Sequence, residues 1–404
     1  MAVASTNEFA PKRINDLVAL RAAEAAPYLT VGAKEWFKDQ LAGKRDGQTY
    51  DFVIRDVAKY HEGLDMSDNV SDLKERKVTK SIFLGNVALR TNFVEAVTDI
   101  NWDKEIAQPN SQAIVEGVVQ KVINSDIPLP NTAFVGKGWL PLSKASRFLS
   151  SVTSEKKYAF VDPMIDSIMS SQGKAFSPVE TEPLYRTGML GSAFGSEFRE
   201  QQFMPDIEIS KELADQLSSA TVTSYATGAN YDTLTISATA TIPAGTPLFI
   251  EGVYATNLIG NKTSALKAFI VSETASGGVL KVAKNDIDGQ GTKECCNANG
   301  EGFKTSDFGS KKLVQSIGAG HYYMGLFRAN GSFEFETLDK LDWSNADATS
   351  ESVQGIRVHS GRAVDVLKGT NMTRYAIAPL AGIVERRANV LVLIKDTDVN
   401  LVTL

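Results

Sequence analysis

Between Asp232 and Val282 the chain is punctuated so closely that only short strands fit. Leu234, Ile236, Ala238, Ala240 and Ile242 alternate with Thr or Ser. A period of two buries one face and wets the other, which predicts a half-buried strand. Pro243-Ala244-Gly245-Thr246-Pro247 must break it, because neither proline can donate to a ladder and glycine allows a tight reversal. Leu248–Tyr254, Ala268–Val271 and Val279–Val282 read as three more strands, with a turn at Ala275-Ser276-Gly277-Gly278 before the last. Four short strands joined by turn chemistry predict a small barrel or sandwich. Helical and mixed patterns flank it on both sides, so it reads as a β module inserted into another domain.

The flanks are predicted from the same rules. Ile14–Ala26 carries apolar residues at helical spacing as far as Pro27, and Ala33–Leu41 repeats the pattern with Trp36, Phe37 and Leu41 on one side. Short terminal helices bury little surface alone, so they either pack on their own domain or dock on a neighbouring subunit. Thr49–Arg55 alternates, with Tyr50, Phe52 and Ile54 on one face, and Lys77–Phe93 is again extended. The charged excursion between them makes a hairpin whose long polar connection suits contacts. Pro109-Asn110 introduces the clearest helix: Val115, Val119 and Ile123 form one row and Ile114, Val118 and Val122 the next. From Ser111 to Asn124 it is roughly 20 Å long. Its broad stripe predicts a helix lying across a sheet.

Further on, Ser143–Ser151 and the residues after Asp162-Pro163 predict helices, and Tyr158–Val161 a buried strand. Asp286–Gly309 is dense in Gly, Asn, Asp and Lys and reads as an exposed loop. Tyr322–Phe327, Ser332–Leu338, Arg374–Val384 and Asn389–Lys395 return to strand patterns, the last two joined by Glu385-Arg386-Arg387.

Motifs for chemistry are missing. Gly260-Asn261-Lys262-Thr263 has the wrong spacing for a phosphate cradle, and no G-x-G-x-x-G or G-x-S-x-G occurs. His61, His321 and His359 are the only histidines, and His61-Glu62 lacks the second His of a zinc helix. Asp286-x-Asp288-Gly289 has Asn297 where a calcium loop needs its last acidic ligand. Cys295 and Cys296 are the only cysteines, which excludes a disulfide framework and leaves free thiols in a polar loop. Catalysis, metals and cofactors are therefore not expected. The net charge of −6 argues against strong non-specific nucleic-acid binding, although a local basic patch remains open. No run approaches the roughly 18–20 apolar residues of a membrane span. Met1–Thr6 lacks the basic flank and apolar core of a signal peptide, so cytoplasmic synthesis is expected.

The order of elements resembles the major capsid (coat) proteins of tailed bacteriophages, the Hong Kong 97-type fold. It is most similar to the short-tailed, Salmonella podophage-like branch with an inserted β-barrel domain. Three passages carry the resemblance: Gln48–Asp68 for the extended loop, Thr233–Val282 for the insertion and Arg374–Lys395 for the closing strands. The resemblance implies an α+β chain with an N-terminal helical arm (1–47) and an extended loop (48–82). It implies a peripheral domain with a spine helix (83–130 and 374–404), an axial domain (131–221 and 320–373) and an inserted barrel (222–319). The expected function is self-assembly into pentamers and hexamers of an icosahedral shell around double-stranded DNA, without catalysis. Expected partners are copies of itself, scaffolding, portal and decoration proteins, and DNA bound without sequence preference. The expected location is the virion capsid, assembled in the bacterial host cytoplasm. Trp36, Phe37, Arg45, Arg55, Lys59, Arg76, Arg386 and Arg387 are the expected subunit-interface residues. The alternatives are a β-rich tail or attachment protein, and an enzyme with an unrecognised site.

Overall fold

The computed structural model describes residues 27–34, 49–55, 75–92, 108–172, 191–285, 294–314, 317–338, 347–353, 356–365 and 370–396. A helical turn α1 (Pro27–Thr30) and a short strand β1 (Ala33–Lys34) precede β2 (Thr49–Arg55), β3 (Glu75–Ser81) and β4 (Gly85–Asn92). The long helix α2 (Gln108–Asp126) follows, then β5 (Thr132–Gly136), α3 (Leu140–Val152), β6 (Lys157–Val161) and α4 (Pro163–Gln172). Next come β7 (Ser192–Ala193), β8 (Ser196–Glu200), β9 (Asp206–Ile209) and α5 (Lys211–Ser219). The middle of the chain is mostly strand: β10 (Val222–Ala226), β11 (Tyr231–Ile236), β12 (Pro247–Thr256), β13 (Lys262–Ile270) and β14 (Val279–Ala283). Two short strands, β15 (Cys295–Cys296) and β16 (Leu313–Val314), complete it. The chain closes through β17 (Gly320–Ala329), β18 (Phe333–Thr337), β19 (Asp347–Val353) and β20 (Ile356–Asp365). The last strands are β21 (Thr370–Ile377), β22 (Pro379–Ile383) and β23 (Asn389–Lys395).

The chain divides into two compact units, the first made of 1–51, 79–123 and 333–382, the second of 52–78, 124–332 and 383–404. In the first unit, β19, β20, β21 and β4 form an antiparallel sheet, and β1, β18 and β22 form another. Helix α2 buries Ile114, Val115, Val118, Val119, Val122 and Ile123, the two rows its periodicity predicts. Burying such side chains contributes roughly 1.5–3 kcal/mol each. Gly85 opens β4 where α2 comes close: any Cβ there would overlap Val118. Pro27–Thr30 is a helical turn, and the expected helix before Pro27 lies outside the described residues. Tyr28 of that turn meets Phe333 edge-on at 5.5 Å, and Ala33–Lys34 is a strand parallel to β18 where a second helix was expected. The rest of the expected N-terminal arm lies outside the described residues, as does the charged excursion after Arg55. Strands β2 and β3 pair as the expected hairpin.

In the second unit a mixed sheet runs β5-β23-β17-β6-β8-β7, with β9 on the first half of β17. Strand β23 is wholly buried from Asn389 to Ile394, because β5 and β17 flank it and α3 covers it. Helix α3 sets Leu142, Ala145, Phe148, Leu149 and Val152 against Val390, Val392, Ile394 and Phe327. Of the expected grouping of 374–404 with 83–130, residues 374–382 share the first unit with 79–123, whereas β23 belongs to the sheet of β5, β6 and β17. Likewise 333–373, expected with 131–221, lies in the first unit. Long-range register decides both, and periodicity carries none of it.

The strands between β9 and β17 make two small sheets, β10-β11-β14 and β13-β12-β15 with β16 on β12. Single bridges at Val271–Val282, Ile242–Ala275 and Thr221–Lys312 connect their edges. Tyr225, Phe269, Phe303 and Phe308 pack together there, with Tyr225 stacked on Phe308 at 4.4 Å. Strand β11 stops at Ile236, although Ala238 and Ile242 remain buried beyond it. Gly320 of β17 lies directly opposite Ile209 of β9, so the strands entering and leaving this region are hydrogen-bonded neighbours.

Candidate functional site

Two of the three histidines, His321 and His359, lie within the described residues. His321 pairs with Asp206 at 2.6 Å across β17 and β9, and its ring meets Tyr323 edge-on at 4.8 Å. No described serine or cysteine hydrogen-bonds to this pair. Asp162 nearby is raised above the usual carboxylate range by burial, with the Asp206 charge adding to it. His359 is buried, and its Nε2 shares a hydrogen bond of 2.8 Å with the Leu338 carbonyl. His61 and Asp286–Gly289 lie outside the described residues. Among the described residues no group of three or more His, Cys, Asp or Glu could hold a metal ion, and no helix is long and apolar enough to cross a membrane.

Polar chemistry concentrates instead at the base of the inserted strands. Arg76 of β3 donates to Glu294 through Nη1 and to the Val384 carbonyl through Nη2 at 3.1 Å. Glu294 is fully buried, and its second oxygen lies 3.8 Å from Arg386. Arg386 also donates to the Lys284 carbonyl. Arg387 grips Glu385 with two bonds of 3.0 Å. Burial would push the Glu385 carboxyl up, but the hydrogen bond and charge of Arg387 outweigh it and hold it below its ordinary value. Deeper in, Lys267 of β13 donates to Asn131 Oδ1 at 2.6 Å. Burial pulls the lysine down to about 7; the Cys295 thiol opposes this, and Arg386 and Arg76 add to it. Asp232 accepts from Tyr225 at 2.5 Å and from the Asn285 and Gly228 amides at 2.7 and 3.1 Å. Burial and the Asp232 charge raise the Tyr225 hydroxyl far above its usual range.

This cluster corrects part of the expected interface. Arg76 is 6% exposed and Arg387 1%, and both guanidinium groups engage partners of their own chain. Arg386 is largely covered as well. Arg55 ends β2, but its side chain is not described, and Trp36, Phe37, Arg45 and Lys59 lie outside the described residues. The expected exposed loop is also corrected: Glu294, Cys295, Cys296, Phe303 and Phe308 are buried, and Tyr254 and Ala255 of β12 pair with Cys296 and Cys295. The sequence held a signal for the missed Lys267, a lone cation inside Ala265-Leu266-Lys267-Ala268-Phe269-Ile270. A lysine on the inward phase of an apolar strand needs a buried acceptor.

No protein-family model matches the chain, and neither does any curated protein. Among solved structures, the fold is similar to the capsid of Ralstonia phage GP4 (6% identity, 91% of this chain and 87% of that one, TM-score 0.46). It is similar to the acidic stable capsid of Helicobacter pylori bacteriophage KHP30 (8%, 90% and 88%, 0.44). It is also similar to a virus-like particle from Pyrococcus furiosus (9%, 94% and 98%, 0.40).

Proposed function

We propose that the chain is the major capsid protein of a tailed bacteriophage, with the Hong Kong 97-type fold and an inserted β-barrel formed by the strands from 222 to 319. It assembles through quasi-equivalent pentamer and hexamer contacts into an icosahedral shell around double-stranded DNA. The observation that carries this reading is the register of Ile209 against Gly320. It holds the two ends of the strand-rich region side by side, as an insertion into a finished sheet requires. The paired hairpin β2–β3 and the single-faced helix α2 precede that sheet in the order the resemblance implies. Subunit contacts fall to Trp36, Phe37, Arg45, Arg55 and Lys59, and partners include scaffolding, portal and decoration proteins. Individually weak contacts let misplaced subunits leave, and avidity over many neighbours makes the shell durable.

Sedimentation and negative-stain imaging of the full chain, alone and co-expressed with a scaffolding partner, test the reading. Closed shells are expected. Tubes or rings would favour a tail or attachment protein, and a chain that stays monomeric under both conditions would refute assembly.

A further inference from the structure

A cavity of about 400 Å³ opens in the second unit beside the first turn of α3. Lys137 follows β5, Lys144 lies one turn into α3 and Lys395 ends β23; all three line it, and no acidic residue does. Lys395 is held in place by donating to the Ala319 carbonyl across Gly320, where a side chain would collide with it. Lys137 and Lys144 are exposed and make no ion pair with any described residue. In a chain of net charge −6, three cations around one cavity without a carboxylate are a local reversal of sign. Leu140, exposed, and Phe134, half-buried, supply the accessible apolar wall, with Phe249 and Tyr322 buried behind it. The start of α3 has no side-chain cap, which adds partial positive charge at the same mouth.

We propose that this cavity binds a phosphate group carried on a flat apolar body, that is, a nucleotide, either free or within a nucleic-acid strand. Lysines act on phosphate as compact point charges, whereas a planar carboxylate is better matched by the arginine fork, and no arginine lines the cavity. The volume lies within the roughly 300–1,000 Å³ of small-molecule sites and exceeds what a bare phosphate fills. The accessible faces of Phe134 and Leu140 offer a base an apolar surface to lie against. The proposal does not depend on shell formation and is tested on the unassembled chain.

A fluorescently labelled adenosine monophosphate is titrated with full-length protein and followed by anisotropy. Saturable binding that weakens with salt is expected. Lys137→Glu/Lys144→Glu, at two exposed positions and checked for native circular dichroism, should weaken it by more than about ten-fold. Unlabelled monophosphate should compete far better than inorganic phosphate. A short single-stranded oligonucleotide that competes better still would place the natural phosphate in nucleic acid, and a weaker one in the free nucleotide; both uphold the site. No binding by the natural chain, unchanged binding by the double variant, or equal competition by inorganic phosphate would overturn it.

Discussion

Replacing Lys267 with Met should raise stability near neutral pH and remove a pH dependence that the natural chain shows. Lys267 is buried, and its amine titrates near 7 in the folded chain against an ordinary 10.5. Between those values the unfolded chain holds a proton that the folded chain does not. Stability therefore rises with pH across that window, by about 1.4 kcal/mol per unit. Below the folded value both states are protonated and the full penalty stands, at most about 5 kcal/mol; above 10.5 it is gone. Methionine fills a similar volume without the charge, but it leaves Asn131 Oδ1 without its donor, a loss of about 1–3 kcal/mol. The variant should thus be more stable by a few kcal/mol near pH 7, and the advantage should shrink, vanish between about pH 8 and 10, and reverse above that as the loss at Asn131 remains. Urea unfolding of both proteins at several pH values reads the difference directly, since every other titration common to both cancels. Parallel stability curves across that range would refute the assignment of a suppressed lysine.

Other substitutions separate backbone from contact effects. Gly277 and Gly278 both have positive φ, 78° and 75°, but only Gly278 would press a Cβ against the Ile236 and Ala238 carbonyls. Gly277→Ala should cost about 1 kcal/mol and Gly278→Ala roughly 2–4 kcal/mol, measured by thermal unfolding. Asp126 Oδ1 accepts the buried Ile383 amide at 2.9 Å. Asp126→Ala should therefore lose about 1–3 kcal/mol, and Asp126→Asn, which keeps an acceptor, markedly less.

Short-range order was legible and long-range pairing was not. The six buried apolar residues of α2 follow from a 3.6-residue period, and the four expected inserted strands from alternation and turn residues. Strand β23 also reads as a strand, because Val390–Ile394 is continuously apolar. Its place between β5 and β17 is set by side chains 60 to 260 positions away, roughly, and no local pattern encodes that register. The buried cluster was hidden for a different reason. Composition averaged over Asp286–Gly309 is polar, yet the few inward residues, Glu294 to Cys296 and the two phenylalanines, decide the packing. Arg76 looked like a surface charge because its acceptors, Glu294 and Val384, come from distant parts of the chain.

That distance also says what the Arg76–Glu294 pair contributes. Removing two charges from water costs several kcal/mol per ion, and a buried pair recovers this only through its geometry and further hydrogen bonds. Arg76 has both, a carboxylate and a carbonyl acceptor, so Arg76→Met alone should destabilise by about 3–5 kcal/mol by leaving Glu294 with only the more distant Arg386. Arg76→Met combined with Glu294→Leu should cost far less, because no buried charge is then stranded. The pair joins segments 218 residues apart, and the carbonyl contact spans 308. Contacts of such separation close late, so the single variant should speed unfolding and leave the folding rate nearly unchanged. Stopped-flow chevrons of the two single variants and the double variant measure this. A double variant as unstable as the sum of the singles would mean that the two side chains do not interact, and would refute the pairing. A recovered double variant means that the pair chiefly specifies which segments meet at the base of the inserted strands.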